Sequence, residues 1–181
     1  MPKQLFLSHT WAYDEQGRDT HARVRELASH LQSKGWTVWF DDVDMDDNLD
    51  AAMAAGIDAA EAVIMILTRA YARKINRAAN ARKASNDNCL KEFTYAMFRE
   101  KLIIPVVFED SMRNPHGWSP GVVPMRLCMT LYVDGTQSHG ATATDITRKL
   151  VGHGMHPLVL MRRRLMRQKS RDTRIQVLAH V

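Results

Sequence analysis

Five short apolar runs divide this chain, and each is typical of a β-strand. They cover residues 5–8, 36–40, 62–67, 102–108 and 129–133. The third and fourth runs are almost continuously apolar. Strands buried on both faces have this pattern, which is characteristic of parallel sheets. The chain is therefore expected to contain a parallel β-sheet covered on both sides.

Segments with helical spacing of apolar residues separate these runs. The first predicted helix is capped by Thr20, buries Val24, Leu27 and Leu31, and ends before Gly35. Similar spacing predicts further helices within residues 49–57, 89–101 and 145–151.

A polar stretch, residues 71–88, has no strong period and predicts a long connection. Connections of this length are often functional. Six basic residues lie in or beside it: Arg69, Arg73, Lys74, Arg77, Arg82 and Lys83. They either meet a pyrophosphate or form a solvated surface.

Alternating strands and helices predict right-handed crossovers and one α/β domain. The expected architecture is a flavodoxin-like, three-layer domain with a five-stranded parallel sheet in the order 2-1-3-4-5. This domain is assigned to residues 1–154. A phospho-acceptor receiver has the same topology, but it requires an aspartate where the third strand here ends in Leu67 and Thr68. That function is excluded.

The net positive charge comes from the C-terminal segment, residues 155–181. The whole chain carries +5, whereas this segment alone has seven basic residues and one acidic residue, which leaves the body at −1. No nucleic acid is therefore expected to bind the body. The segment is interpreted as a basic helix or tail. It either contacts an anionic membrane or nucleic acid, or it only carries solubilising charge.

Cysteine usage and motif content argue against a metal centre. Cys89 and Cys128 form no CxxC pair. The acidic run 41–50 lacks the glycine that a calcium loop requires at its sixth position. The N-terminus is not typical of a secretory signal, and no apolar run reaches the length of a membrane span. We expect a cytoplasmic protein with neither metal nor cofactor.

Glu92 is the strongest candidate for chemistry. It falls in the second turn of the helix that opens near Asn88. Ligands of parallel sheets bind beyond the carboxyl ends of the strands, and a helix beside that edge presents its residues to them. Alternatively, Glu92 only complements the helix dipole.

Polar and aromatic side chains follow the first two strands. Ser8, His9, Thr10 and Trp11 end the first strand. Hydroxyl, imidazole and indole groups suit the phosphates, ribose and rings of a ligand, but the same residues also suit a turn with a half-buried tryptophan. Asp41 follows the second strand and is either a ribose ligand or part of a solvated acidic loop.

The ordered segments together resemble a Toll/interleukin-1 receptor (TIR) domain over about residues 3–152. The resemblance rests on residues 5–9, on 35–41 before the BB loop, on 53–57 with 63–67, on 88–93 and on 131–134. Residues 88–93, Asn-Cys-Leu-Lys-Glu-Phe, are similar to the Trp-Cys-x-x-Glu-Leu motif of plant and bacterial members.

This resemblance implies that Glu92 cleaves NAD⁺ at the nicotinamide–ribose bond, with NAD⁺ as substrate and no cofactor. It also implies that Ser8, His9, Thr10 and Asp41 contact the substrate. Asn88 stands at the motif's aromatic position and is expected to contact the substrate without stacking on a base, so Trp11 is expected to supply the stacking surface instead.

Two functions remain open at this level. The first is hydrolysis or cyclisation of NAD⁺ in immune or cell-death signalling. The second is a non-catalytic interaction module. Both imply TIR–TIR self-association and possible contact with other TIR-domain proteins. Glu92 favours the enzyme. Asn88 and the replacement of the usual BB-loop signature by an acidic run favour the module.

Overall fold

Five parallel strands form the centre of the protein. The computed structural model describes residues 4–40, 49–80 and 86–158. The strands are β1 (Leu5–Ser8), β2 (Val38–Trp39), β3 (Ala62–Leu67), β4 (Leu102–Val107) and β5 (Val133–Asp134). Their order is β2-β1-β3-β4-β5, and every pairing is parallel. The predicted sheet and its strand order are confirmed.

Six helices cover the two faces of the sheet within the described residues. They are α1 (Thr20–Ser33), α2 (Leu49–Ala59), α3 (Arg69–Ala79), α4 (Asn88–Phe98), α5 (Val122–Leu127) and α6 (His139–Gly152). One core cluster joins the sheet to α1 and α6, and the other joins it to α2, α3, α4 and α5. The three-layer arrangement is therefore confirmed.

Alternation along β1 decides which layer each side chain enters. Leu5 and Leu7 belong to the core cluster under α1 and α6, whereas Phe6 belongs to the opposite cluster. Successive side chains of a strand point to opposite faces. Ser8 therefore shares the face of Phe6, which places its hydroxyl under α3 and α4.

The first half of the segment predicted as a long polar connection, up to Ala79, is helical, and the prediction was wrong for this part. Thr68 caps α3 by accepting a hydrogen bond from the backbone N–H of Tyr71 at 3.1 Å. The buried face consists of Tyr71, Ala72, Ile75 and Asn76. Because this buried face includes the small Ala72 and the polar Asn76, the helical spacing of apolar residues is not evident in the sequence. The Ala, Arg and Lys residues of the segment have high helix propensity. Arg69, Arg73, Lys74 and Arg77 therefore lie on a helix, and 82–83 fall outside the described residues.

Several predicted boundaries also shift. Asp19 rather than Thr20 caps α1, because its carboxylate accepts from the N–H of Ala22 and Thr20 is the first helical residue. The edge strands β2 and β5 contain only two residues each. Helix α5 was not predicted, and α6 begins at His139, six residues before the predicted start.

The first residues of the segment assigned to the basic tail contact the domain. Met155 is buried in the core cluster under α1 and α6. Gln4 donates to the carbonyl of His156 at 2.8 Å and accepts from the N–H of Leu158 at 3.1 Å. The rest of the tail prediction concerns 159–181, outside the described residues. In the described part of the chain, no helix is long and apolar enough to cross a membrane.

Candidate active site at the carboxyl edge of the sheet

Three elements meet around the last residue of β1. The Ser8 hydroxyl lies 2.6 Å from the Glu92 Oε2 atom of α4 and 2.8 Å from the Tyr71 hydroxyl of α3. Ser8 and Tyr71 are fully buried, whereas Glu92 is half-buried. The structure therefore brings the predicted Ser8 and Glu92 together, and it adds Tyr71, which the sequence had not indicated.

Helix α4 is anchored at its N-terminus beside this cluster. Asp87 caps it through the N–H of Leu90, and Lys74 of α3 lies 3.5 Å from the Asp87 carboxylate. The Cys89 thiol donates to the backbone carbonyl of His9 at 3.4 Å. Burial raises the pKa of the Cys89 thiol to about 12. This thiol is therefore neutral, and it connects α4 to the first loop rather than acting as a nucleophile.

The first loop is held by stacked rings. His9 stacks on Phe40, and its Nε2 atom lies 2.8 Å from Nδ1 of His21. Trp11 stacks on His21 with ring centroids 3.9 Å apart, while 58% of its surface stays exposed. Burial, reinforced by the His21 imidazole, lowers the pKa of His9 from 6.5 to about 4. His9 is therefore a neutral structural group, and Trp11 offers an open ring face.

The remaining predicted site residues occupy different environments. Thr10 is buried at the start of the loop, with 3% of its surface exposed. Asn88 is half-buried as the first residue of α4. Asp41 lies outside the described residues.

A groove between α2 and α4 opens next to Glu92. Its volume is about 390 Å³. It is lined by Asp50, Met53, Ala54, Ile57, Lys91, Glu92, Thr94, Tyr95 and Phe98. Lys91 binds Asp50 at 2.6 Å, which joins the two helices. The groove is largely apolar, and its charged lining residues are Asp50, Lys91 and Glu92.

The groove residues could be recognised only in part from the sequence. Met53 and Ile57 followed from helical spacing, but the same spacing assigns them to the core. Tyr95 and Phe98 gave no separate signal, although 77% of the Phe98 surface is exposed in the folded chain.

A second cleft, of about 370 Å³, lies at the same edge of the sheet between the first loop and α3. Arg69 and Arg73 line it. The buried Glu109 carboxylate there accepts from the backbone N–H groups of Glu15 at 2.9 Å and Arg69 at 2.6 Å. These bonds fix the Glu109 carboxylate in a structural role. Across residues 4–40, 49–80 and 86–158, no cluster of three or more His, Cys, Asp or Glu side chains suits a metal ion.

Comparison with known proteins gives one family and a set of similar solved structures, including the two that follow. A family model described as TIR domain matches residues 5–151. The crystal structure of the RPS4 and RRS1 TIR domain heterodimer matches with a TM-score of 0.47 and 19% identity, over 83% of this chain and 96% of that chain. The activated Roq1 resistosome directly recognizing the pathogen effector XopQ (TIR domains) matches with a TM-score of 0.53 and 15% identity, over 82% and 99%. No curated protein matches.

The two kinds of match support different statements. At 15% identity, the likeness to the resistosome TIR domains shows the fold alone. The family model covers most of this chain, including β1, the three elements around Ser8 and the groove beside Glu92. The chain therefore belongs to the TIR domain family.

Proposed function

We propose that this TIR domain cleaves NAD⁺ between nicotinamide and ribose, with Glu92 as the catalytic residue. The observation that carries the proposal is the position of the Glu92 carboxylate. It lies at the carboxyl edge of the sheet and accepts from the Ser8 hydroxyl at 2.6 Å, and Glu92 is one of the residues that line a groove of about 390 Å³.

The main requirement of this reaction is a negative charge close to the ribose carbon C1′. As the bond between ribose C1′ and the nicotinamide nitrogen breaks, the electron pair leaves with nicotinamide, which becomes neutral. The ribose then carries oxocarbenium-like positive charge, and a fixed carboxylate stabilises that charge. Water adds to C1′ and releases a proton, which gives ADP-ribose. Addition of an adenine nitrogen instead gives a cyclic product.

The surroundings of Glu92 suit the two ring systems of this substrate. We propose that the apolar wall of the groove, which includes Met53 and Phe98, receives the nicotinamide ring. Trp11 is 58% exposed and backed by His21, so it offers a supported face for base stacking. Asn88 borders the site at the start of α4. Buried His9 and Thr10 shape the first loop, and a ribose contact from Asp41 remains part of the proposal.

The substitution Glu92→Gln tests the assignment. It preserves shape and an acceptor for Ser8 but removes the charge. We expect turnover to fall by roughly a hundredfold or more, which corresponds to about 3 kcal/mol of transition-state stabilisation. The free energy of unfolding should change by about 1 kcal/mol or less, because one charge-assisted hydrogen bond becomes neutral.

The measurement is nicotinamide release from NAD⁺ at matched protein concentration, together with thermal melting. Glu100→Gln is the matched control, because Glu100 is exposed just after α4 and does not line the groove. Turnover by Glu92→Gln that equals the wild-type rate would remove Glu92 from the chemistry. If the wild type releases no nicotinamide at any concentration, the interaction-module function stands instead.

We further propose that the activity operates in a self-assembled state in cytoplasmic signalling. The similar structures include a TIR heterodimer and TIR domains of a resistosome. In this chain, Met125, Met129 and Leu131 expose 68%, 92% and 82% of their surfaces within seven residues. Exposed apolar side chains gathered in one segment favour contact with another protein, here a second copy or another TIR domain.

A further inference from the structure

The Tyr71 hydroxyl is a buried polar group with a specific partner. Tyr71 has no exposed surface and packs in the core cluster under α2, α3, α4 and α5. A phenolic hydroxyl in such a position requires a hydrogen bond, because its burial without one is costly. The partner is the Ser8 hydroxyl at 2.8 Å, 63 residues away along the chain.

The protons in this cluster have one consistent arrangement when Glu92 is ionised. A carboxylate only accepts, so Ser8 donates its single proton to the Oε2 atom of Glu92 at 2.6 Å. This distance is typical of an O–H···O⁻ bond. Tyr71 must then donate to Ser8. Burial raises the pKa of Tyr71 well above its usual value of 10, so the phenol stays protonated and remains a donor.

Separate structural elements fix each member of this chain of hydrogen bonds. Ser8 ends β1 and pairs in register with Met65 of the neighbouring β3. The N–H of Tyr71 is bound by the Thr68 cap. The Ser8 oxygen accepts from Tyr71 while its single proton is donated to Glu92.

We propose that Tyr71 is a positioning residue that acts through Ser8 to orient the Glu92 carboxylate and to keep it ionised. This inference rests on the proposed function of Glu92. A carboxylate that is already oriented and charged needs no rearrangement when positive charge develops on the ribose. Ser8 and Tyr71 are fully buried, and in this proposal Tyr71 influences the reaction through Ser8 and the Glu92 carboxylate.

The first test is a double-mutant cycle on turnover, with Tyr71→Phe, Ser8→Ala and the double variant. Tyr71→Phe keeps the buried ring, and we expect kcat to fall by about tenfold, the upper range for one hydrogen bond, with little change in KM. The kcat of Ser8→Ala should fall by at least the same factor. The double variant should have the same kcat as Ser8→Ala, because Tyr71 influences Glu92 only through the serine hydroxyl.

Tyr132→Phe is the matched control. The Tyr132 hydroxyl donates to the backbone carbonyl of Arg113 at 2.6 Å, and Tyr132 does not line the groove beside Glu92. Its removal should leave turnover unchanged. Wild-type kcat in Tyr71→Phe, or losses that simply multiply in the double variant, would overturn the proposal, because both outcomes mean that Tyr71 does not act through Ser8.

The second test does not depend on catalysis. The side-chain carboxyl ¹³C signal of Glu92, assigned by its disappearance in Glu92→Gln, is followed across pH. Loss of the serine hydrogen bond removes stabilisation of the charged form. The titration midpoint should therefore rise by about one pH unit in Ser8→Ala and by a smaller amount in Tyr71→Phe.

The two tests separate the two hypotheses. If the wild-type protein does not cleave NAD⁺ but the Glu92 titration midpoint still rises in both variants, the proposed function is refuted and the hydrogen-bond chain stands. Unchanged midpoints in both variants would refute the role of Tyr71 even in an active enzyme. If Tyr71→Phe does not fold, an unchanged midpoint in Ser8→Ala is sufficient to refute it.

Discussion

The buried pair formed by His9 of the first loop and His21 of α1 predicts that the fold loses stability in mild acid. His9 is only 6% exposed. Its Nδ1 lies 3.4 Å from the Leu7 carbonyl and its Nε2 2.8 Å from Nδ1 of His21. A carbonyl only accepts, so Nδ1 of His9 carries the proton and Nε2 accepts from His21. A second proton on His9 would therefore point at the N–H of His21.

The direction and size of this change in the free energy of unfolding follow from the pKa of His9, which burial and His21 lower from 6.5 to about 4. Between these values the unfolded chain binds the proton and the folded chain does not, so stability rises with pH in this range. Acidification from pH 7.5 to pH 5 should cost about 2 kcal/mol from this group alone. His139, whose pKa is also lowered chiefly by burial, acts in the same direction.

Carboxylates do not obscure this range of pH. The pKa values of Asp14 and Asp134 are lowered by their hydrogen bonds despite partial burial. Their contribution is present above the unfolded value of 3.8 and is lost only as pH falls below it. Measurements at pH 5 and above therefore report mainly on the histidines.

The assay is urea unfolding, followed by far-ultraviolet circular dichroism at pH 7.5, 6.0 and 5.0. The wild type should lose about 2 kcal/mol between the extremes, and His9→Gln should lose clearly less, whatever its stability at pH 7.5. His30→Gln is the control, because His30 is exposed, and it should retain the wild-type slope. Equal pH dependence in the wild type and His9→Gln would show that His9 is not the group responsible.

Two further predictions concern a glycine and the assembly. Gly121 has φ of +151°, and a Cβ there would overlap the Asn76 amide, so Gly121→Ala should cost about 3 kcal/mol in urea unfolding. Gly117→Ala, with open space around it, should stay within about 0.5 kcal/mol, and equal values for the two variants would contradict the argument. If assembly drives the proposed activity, nicotinamide release should rise faster than linearly with protein concentration. Strict proportionality over a wide range, from a protein that light scattering shows to be monomeric, would rule this out.

The chain's apolar pattern was enough to predict the sheet. Continuous runs such as Ala62–Leu67 predicted strands buried on both faces, and the alternation with helices predicted parallel pairing in the observed order. These features depend on the spacing of residues two to four positions apart, which can be read directly from the sequence. The same local information placed Glu92 in the second turn of α4.

The same pattern failed where the period was weak. Helix α3 buries Tyr71 and Ile75 beside Ala72 and Asn76, and this mixed face does not look amphipathic in the sequence. Tertiary packing against α4 and the sheet decides which residues are buried there. Tyr71 was therefore passed over as part of a polar connection, although it is among the largest fully buried side chains described.

The composition of the candidate site was decided by tertiary structure. Ser8, Tyr71 and Glu92 meet across 63 and 84 residues of chain. The sequence specified that Ser8 ends a strand and that Glu92 lies on a helix, but not that their oxygens approach to 2.6 Å. That distance depends on strand register, on the alternation along β1 and on how α3 and α4 pack over one face of the sheet. The groove between α2 and α4 arises in the same way, because it exists only between elements that the folded chain brings together.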